Sequence, residues 1–146
     1  MNTHPLAAVL SAYEVQEQWL RRSIALVPCG HAFDAVRMPT DLVHTAARTR
    51  EPEQVRIYLT HTLHGPVLTD RTTHHHYALV PPNTPPIESH PNTRHLGTNA
   101  YLGLPRPDLT HPTTHHRCHW IIPPDRHTLC PPQAITALLH QATTTQ

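Results

Sequence analysis

A run of three histidines at residues 74–76 is the part of this sequence best equipped for chemistry. The run begins a strand predicted over residues 74–80. Because side chains alternate between the two faces of a strand, His75 and Tyr77 share one face, and the histidines on either side of His75 point to the other. Imidazole rings can bind metal ions and act as acids or bases. We therefore expect at least one ring of this run to contact a polar partner or a ligand.

A second chemically suggestive residue is Asp34, on a strand predicted over residues 32–38. Asp34 shares one face of that strand with the apolar residues Val36 and Met38. A carboxylate on an apolar face needs a partner. It is either a metal-binding or acid–base group, or a structural carboxylate that backbone N–H groups or an arginine satisfy. The sequence leaves both interpretations open.

Further potential metal ligands are concentrated in residues 111–119. They are His111, His115, His116, Cys118 and His119. Imidazole and thiolate groups suit Zn²⁺. Pro112 interrupts the segment and no helical pattern runs through it, so the spacing of His115 and His119 does not place them on one side. The segment supports the hypothesis of a histidine-rich protein that binds transition metals, with adventitious Zn²⁺, Ni²⁺ or Cu²⁺ favoured over a structural Zn²⁺.

The composition offers another explanation for the histidines. The 146 residues include 16 His and 17 Pro, and all eleven basic residues are Arg. Arg, Pro, Ala, His and Thr have C- or G-rich codons, so the genome of a high-GC bacterium produces this pattern without selection on any one histidine. With a net charge of +1 and an ordinary histidine pKa of about 6.5, the chain becomes strongly cationic in mild acid. Binding to polyanions is then expected to depend on pH as well as on salt.

Prolines and hydrophobic periodicity divide the chain into predicted elements. These are a helix over 5–22, strands over 23–28 and 32–38, helices over 41–50 and 52–64, strands over 66–70 and 74–80, a proline-rich loop over 81–95, strands over 99–104 and 117–122, and a short C-terminal helix over 133–141. This order predicts one domain over residues 1–146, of α/β or α+β class, with a mixed β-sheet flanked by helices.

The number and spacing of the cysteines and the hydropathy of the chain are used to predict the cellular compartment. The three cysteines are odd in number and widely spaced, which is not a disulfide framework. No basic segment followed by an apolar run resembles a signal peptide, and no apolar stretch approaches membrane-spanning length. We expect a cytoplasmic protein without a membrane partner.

The order of several short motifs resembles the catalytic domain of the archaeo-eukaryotic primase superfamily, in its bacterial branch of bifunctional DNA primase/polymerase (prim-pol) domains. The segments that carry the resemblance are 24–28, 33–36, 75–81, 101–105 and 118–120, and together they cover roughly residues 23–124. The third of them resembles the family's strand in which a histidine, an aromatic residue two positions on and a closing proline recur. The resemblance implies a trimmed prim-pol core.

The resemblance also implies roles for individual residues. His75 stands where the family's histidine approaches the nucleotide phosphates, and Asp34 stands at the first acid of the family's Asp-x-Asp metal motif. Asp34 and His75 are therefore the candidates for catalysis, with Mg²⁺ or Mn²⁺ as the implied cofactor. We expect His75, Tyr77, Arg37 and Arg94 to bind a nucleotide or DNA.

Departures from the family pattern shape the functional prediction. Val36 replaces the second acid, and residues 94–97 contain no acid where the family places the third. Two-metal nucleotidyl transfer needs several carboxylates around its two cations. We therefore predict a catalytically degenerate protein that binds nucleotide or nucleic acid in DNA replication or in a mobile element; an active form would be a nucleotidyltransferase of primase/polymerase type. The alternatives are a non-enzymatic structural or regulatory domain with a protein partner and the histidine-rich metal binder.

Overall fold

A computed structural model describes residues 5–87, 90–124 and 128–145 of the chain. Within these residues the helices are α1 (Pro5–Ser11), α2 (Tyr13–Arg21), α3 (Thr40–Ala47), α4 (Pro52–Leu63) and α5 (Pro132–Thr145). The strands are β1 (Ile24–Pro28), β2 (Asp34–Pro39), β3 (Val67–Asp70), β4 (His75–Val80), β5 (Arg94–Leu96), β6 (Tyr101–Pro105) and β7 (Cys118–Ile122). Three of the strands, β1, β2 and β6, end on a proline, which cannot donate a backbone hydrogen bond to continue a ladder.

The strands form a five-stranded sheet in the order β5-β2-β4-β3-β7 and a two-stranded ribbon of β1 and β6. The predicted single α+β domain is confirmed. The sequence predicts a mixed sheet, whereas each pairing between these strands is antiparallel. The sheet is antiparallel because β3 and β4 form a hairpin. α3 and α4 return the chain so that β3 runs parallel to β2, but β4 lies between these two strands and pairs with both.

The five-stranded sheet separates two hydrophobic cores. On one face, α3, α4 and α5 cover a core that includes Val36 and Leu138. On the other face, α1, α2 and the ribbon cover a core that includes Leu79 and Trp120. Alternate residues of β2 and β4 enter opposite cores, as expected for strands buried on both faces. Side chains of β2 and β4 on either face are therefore held in place by a sheet that is packed on both sides.

Two tryptophans attach the ribbon to the rest of the fold. Trp19 of α2 donates its Nε1–H to the Leu104 carbonyl at 3.0 Å, and Trp120 of β7 donates its Nε1–H to the Pro105 carbonyl at 2.8 Å. Both acceptors lie near the end of β6. These bonds hold that end of the ribbon over the sheet and leave Tyr101, at the start of β6, exposed.

The predicted helix over 5–22 is two helices in the structure. Ala12 separates α1 from α2 and has an extended backbone, with φ −63° and ψ 142°. The Gln16 side chain donates a hydrogen bond to the Leu10 carbonyl at 2.8 Å, which satisfies one of the free carbonyls at the end of α1. The helical periodicity of this segment was correctly interpreted, but the break could not be seen in it.

Other boundaries also differ from the prediction, and the predicted helix over 41–50 already ends at Ala47 as α3. The predicted loop over 81–95, of which residues 88 and 89 lie outside the described part, ends in β5, because Arg94 begins a short stretch that pairs with β2. The predicted C-terminal helix over 133–141 is longer in the structure, where α5 continues to Thr145. Ala142 is buried in the core that α3, α4 and α5 cover, and this burial favours a helix that continues beyond the predicted end.

One structural observation bears on the prediction that the protein has no membrane partner. No helix among the described residues is long and apolar enough to cross a membrane. The cytoplasmic location stays a prediction.

Candidate functional site

Arg94, Arg37 and Tyr77 lie side by side across three neighbouring strands. Arg37 of β2 pairs with Arg94 of β5 on one side and with Tyr77 of β4 on the other. Directly paired residues point to the same face of a sheet, with Cβ atoms about 4.5–5.5 Å apart. His75 pairs with Pro39 and points to the same face as Tyr77, two residues further along β4. The four residues predicted to bind a nucleotide or DNA are thus brought together.

Two adjoining pockets open over this row of side chains. The first has a volume of about 600 Å³ and is lined by Arg37, His75, His90, Asn92, Thr93 and Arg94, among others. The second has a volume of about 340 Å³ and its lining includes Leu26, Arg37, Tyr77, Arg94, Tyr101 and Arg117. Because Arg37 and Arg94 line both pockets, we treat the two as one site and call it the arginine cleft.

The positive charges of the first pocket have no acidic partner among the residues that the structure describes. Neither Arg37 nor Arg94 forms an ion pair with a described residue. The Nε atom of Arg37 and the Nδ1 atom of His75 are both buried without a hydrogen-bond partner among the described residues. The pKa of His75 lies below its ordinary value, because burial disfavours the charged ring and the Arg37 charge adds to this effect. An anion in the pocket would satisfy these groups.

The second pocket contains one carboxylate, Asp70, which is already neutralised. Arg117 donates to both of its oxygens, with Nε 3.3 Å from Oδ1 and 3.2 Å from Oδ2. The backbone N–H groups of Thr72 and Thr73 also donate to Oδ1. Burial raises the pKa of Asp70, but these hydrogen bonds and the Arg117 charge outweigh burial and leave the pKa below its ordinary value. Asp70 therefore caps the β3–β4 turn, and the cleft keeps a net positive charge.

Asp34 lies on the opposite face of the sheet, where its side chain is only 4% exposed. Its Oδ2 is 2.9 Å from Nε2 of His95, a residue of β5 whose side chain is 6% exposed. The backbone N–H of Ile87 donates to Nδ1 of the same ring at 3.2 Å, so the ring carries its hydrogen on Nε2 and donates it to Asp34. Of the two interpretations of Asp34, the geometry favours the structural one, with a histidine as its partner.

The two candidate catalytic residues, Asp34 and His75, do not meet. Asp34 pairs with Val80 at one end of β2, whereas His75 pairs with Pro39 at the other end, five residues away. This separation corresponds to about 17 Å along the strand. The two side chains also point to opposite faces, because Asp34 shares its face with Val36. They cannot act together on one bound nucleotide.

The predicted cluster of metal ligands is also dispersed. Cys118 and His119 are consecutive residues of β7 and point to opposite faces, with Cys118 in the arginine cleft. Burial raises the pKa of the Cys118 thiol to about 11, which disfavours the thiolate that metals require. His115 is exposed in the loop before β7, and Nδ1 of His116 lies 2.6 Å from the Thr113 hydroxyl. No group of three or more His, Cys, Asp or Glu in the described ranges is arranged to hold a metal ion.

Some residues that line the arginine cleft were not predicted from the sequence. Arg117, Tyr101 and Leu26 were each predicted only as members of strands. Arg117 reaches the cleft because β7 pairs with β3, which places Cys118 opposite Asp70. That pairing joins segments nearly 50 residues apart, and no local pattern encodes it.

Comparisons of the chain with family models, with curated proteins and with solved structures found no match.

Proposed function

We propose that the arginine cleft binds a phosphate-bearing ligand, a nucleotide or a nucleic acid, without catalysing its conversion. The observation that carries the proposal is the row of Arg94, Arg37 and Tyr77 across three strands, with His75 beside it and no described acidic partner for either arginine. Guanidinium groups bind phosphate oxygens through two parallel N–H donors, which gives both charge and geometry.

Aromatic side chains in the second pocket suit the remainder of such a ligand. Tyr77 and the exposed Tyr101 both line that pocket, together with the apolar side chain of Leu26. Aromatic rings can stack on any nucleobase, so they contribute affinity with little sequence preference. A phosphate group over Arg37 and His75 and a base near the tyrosines would use both parts of the cleft.

The position of the carboxylates favours binding over catalysis. Metal-assisted phosphoryl or nucleotidyl transfer uses carboxylates that hold cations beside the phosphates. Asp70 is the one carboxylate among the described residues of the cleft, and Arg117 occupies both of its oxygens. Asp34 is bonded to His95 on the other face. These positions favour binding without catalysis. That the protein is a catalytically degenerate relative of the prim-pol domains, acting in DNA replication or in a mobile element, stays a prediction from the sequence resemblance.

Removing the arginines of the cleft tests the proposal. We expect the double variant with Arg37→Ala and Arg94→Ala to raise the Kd for a labelled single-stranded oligonucleotide at least about tenfold, because two phosphate contacts are lost. The dependence of log Kd on log salt concentration should also fall, by about one unit for each arginine. His75→Ala should weaken binding in the same direction. Fluorescence anisotropy measures all three effects, with ATP as a competitor.

Arg50→Ala is the matched control. Arg50 is 79% exposed at the end of the α3 region, away from the cleft, and its removal changes the net charge by the same amount as each cleft substitution. We expect it to change the Kd by less than about twofold. Equal affinity of the wild type and the double variant would contradict the proposal.

A protein-interaction domain is the alternative, and one surface feature favours it. Tyr13 and Leu20 of α2 are 75% and 84% exposed, and their seven-residue spacing places them on one side of the helix. If nucleotides and oligonucleotides do not bind, a pull-down that compares the wild type with Leu20→Glu would test this surface. The metal-binding hypothesis is tested by elemental analysis of protein purified without a metal column.

A further inference from the structure

Three histidines meet on the face of the sheet opposite the arginine cleft. They are His44 of α3, His76 of β4 and His119 of β7. The rings of His44 and His76 are 6.4 Å apart between centroids, at an angle of 76°. Thr69 of β3 pairs directly with both His76 and His119, so its side chain lies between theirs. We call this group the histidine cluster.

The histidine cluster is one place where α3 is attached to the sheet, through His76. The backbone N–H of Thr40, the first residue of α3, donates to the His74 carbonyl at 2.9 Å. The Thr40 hydroxyl lies 2.9 Å from Nδ1 of His76. The Thr69 hydroxyl is 3.4 Å from the same nitrogen and donates to the His75 carbonyl at 3.1 Å. One histidine ring therefore joins the start of α3 to the middle of the sheet.

Little in the surroundings would stabilise a positive charge on these rings. His76 and His119 are 4% and 6% exposed, and Nδ1 of both His44 and His119 is buried without a hydrogen-bond partner among the described residues. The charged and titratable groups near the cluster are Arg50 and Asp41 from the α3 region, Arg56 from α4, Arg71 from the β3–β4 turn and His111 from the loop before β7. His75 is next to His76 in β4 but points to the opposite face of the sheet. The single carboxylate of this set, Asp41, is 85% exposed and lies beside Arg50.

Burial and these charges lower the pKa of each ring. Burial is the larger cause in each case, and the neighbouring positive groups add to it. The pKa of His76 falls to about 3 and that of His119 to about 4, and that of His44 is also lowered. At neutral pH the rings are uncharged, and α3, which carries His44, can pack against the ring of His76.

We propose that the histidine cluster is an acid-sensitive attachment, so that acidification releases α3 from the sheet before the remainder of the fold opens. Released histidines regain contact with water and bind protons with an ordinary pKa of about 6.5, whereas the packed rings do not. The attachment is complete above pH 6.5 and weakens as the pH falls below it, down to the pKa of the packed rings. Within that window the equilibrium for packing falls up to about tenfold per pH unit for each histidine. Because β4 carries His75 on its other face, release would also disturb the arginine cleft.

Hydrogen exchange at individual amides tests this device in the full chain. We compare amides of α3, such as Leu42 and Val43, with amides of α5, such as Leu138, between pH 7 and pH 5, after correction for intrinsic exchange rates. We expect the protection of α3 to fall by at least about tenfold more than that of α5. Equal loss in both helices, or no loss in α3, would overturn the proposal.

Substitutions of the histidines distinguish release of α3 through the histidine cluster from a general destabilisation of the fold by acid. Asparagine at position 76 keeps an acceptor near the Thr40 hydroxyl but cannot be protonated, so His76→Asn should reduce the pH dependence of α3 protection by up to about tenfold per pH unit. His61→Asn, at an exposed position of α4, is the control and should leave it unchanged. If His76→Asn does not fold, His44→Gln takes its place, because His44 lies on α3 and is only partly buried. An unchanged pH dependence in the folded cluster variant would contradict the proposal.

Discussion

Replacing Trp120 with alanine should lower the free energy of unfolding by about 3–5 kcal/mol, as expected for a fully buried aromatic side chain. The indole fills the core between the five-stranded sheet and the ribbon, and its Nε1–H is donated to the Pro105 carbonyl. Its loss leaves a cavity and an unsatisfied carbonyl. Because small domains are stable by only about 5–15 kcal/mol, this is a large fraction of the total. Urea denaturation followed by circular dichroism measures the change.

Two comparison variants make the Trp120 prediction specific. Trp120→Phe keeps most of the buried volume but loses the hydrogen bond, so its cost should be clearly smaller than that of alanine. Leu20→Ala removes a side chain that is 84% exposed and should change stability by less than about 0.5 kcal/mol. A loss below about 1 kcal/mol for Trp120→Ala would show that the ribbon is not packed on the sheet as described.

Replacing His95 with alanine should cost about 3 kcal/mol, because it leaves the Asp34 carboxylate buried without a partner. The imidazole donates to Asp34 and accepts from the Ile87 N–H, so it joins β2, β5 and the preceding loop. His95→Gln keeps a side-chain N–H donor and should recover part of the loss. Thermal and urea denaturation of the two variants measure the difference.

A double-mutant cycle shows whether Asp34 and His95 act as a pair. If the cost of His95→Ala arises from an unpartnered carboxylate, it should be markedly smaller when Asp34 has already been replaced by asparagine. The same Asp34→Asn protein should bind the oligonucleotide as the wild type does, with and without Mg²⁺, because Asp34 lies outside the arginine cleft. Additive costs in the cycle, or loss of Mg²⁺-dependent binding, would restore the interpretation of Asp34 as a metal ligand.

The order of the elements could be read from the sequence because its signals are local. Prolines end β1, β2 and β6, and helical periodicity marks α3 and α4. Alternation along a strand also correctly separated His75 and Tyr77 from His76 and Ala78, whereas His74 lies in the turn before β4. Each of these signals is contained within a few residues, where sterics and burial act directly on the backbone.

The hydrogen-bond and strand-pairing partners of the functional residues could not be predicted from such local signals. His95 lies at the end of a proline-rich loop, and its bond to Asp34 joins residues 61 positions apart. The pairing of Arg37 with both Arg94 and Tyr77 depends on which strands are neighbours in the sheet. Strand order and register are set by long-range packing, so the sequence predicted four members of the arginine cleft without their arrangement.

The histidine run illustrates the same limit. The sequence predicts that its rings point to both faces, and the structure places His75 in the arginine cleft and His76 in the histidine cluster. The partners of His76 come from α3 and β3, which no spacing within the run could indicate. Codon bias can account for the number of histidines, but not for the burial of His76 and His119 on one face of the sheet with His44 beside His76.

Binding of phosphate-bearing ligands in the arginine cleft should need no metal ion held by Asp34. NMR titration of the labelled protein with ATP and with a short single-stranded oligonucleotide, each with and without Mg²⁺, distinguishes the two faces of the sheet. We expect saturable shifts at Arg37, His75, Tyr77 and Arg94 that persist when Mg²⁺ is removed, with resonances of Asp34 and His95 little changed. Shifts centred on Asp34, shifts that require Mg²⁺, or no saturable shift with either ligand would contradict this expectation.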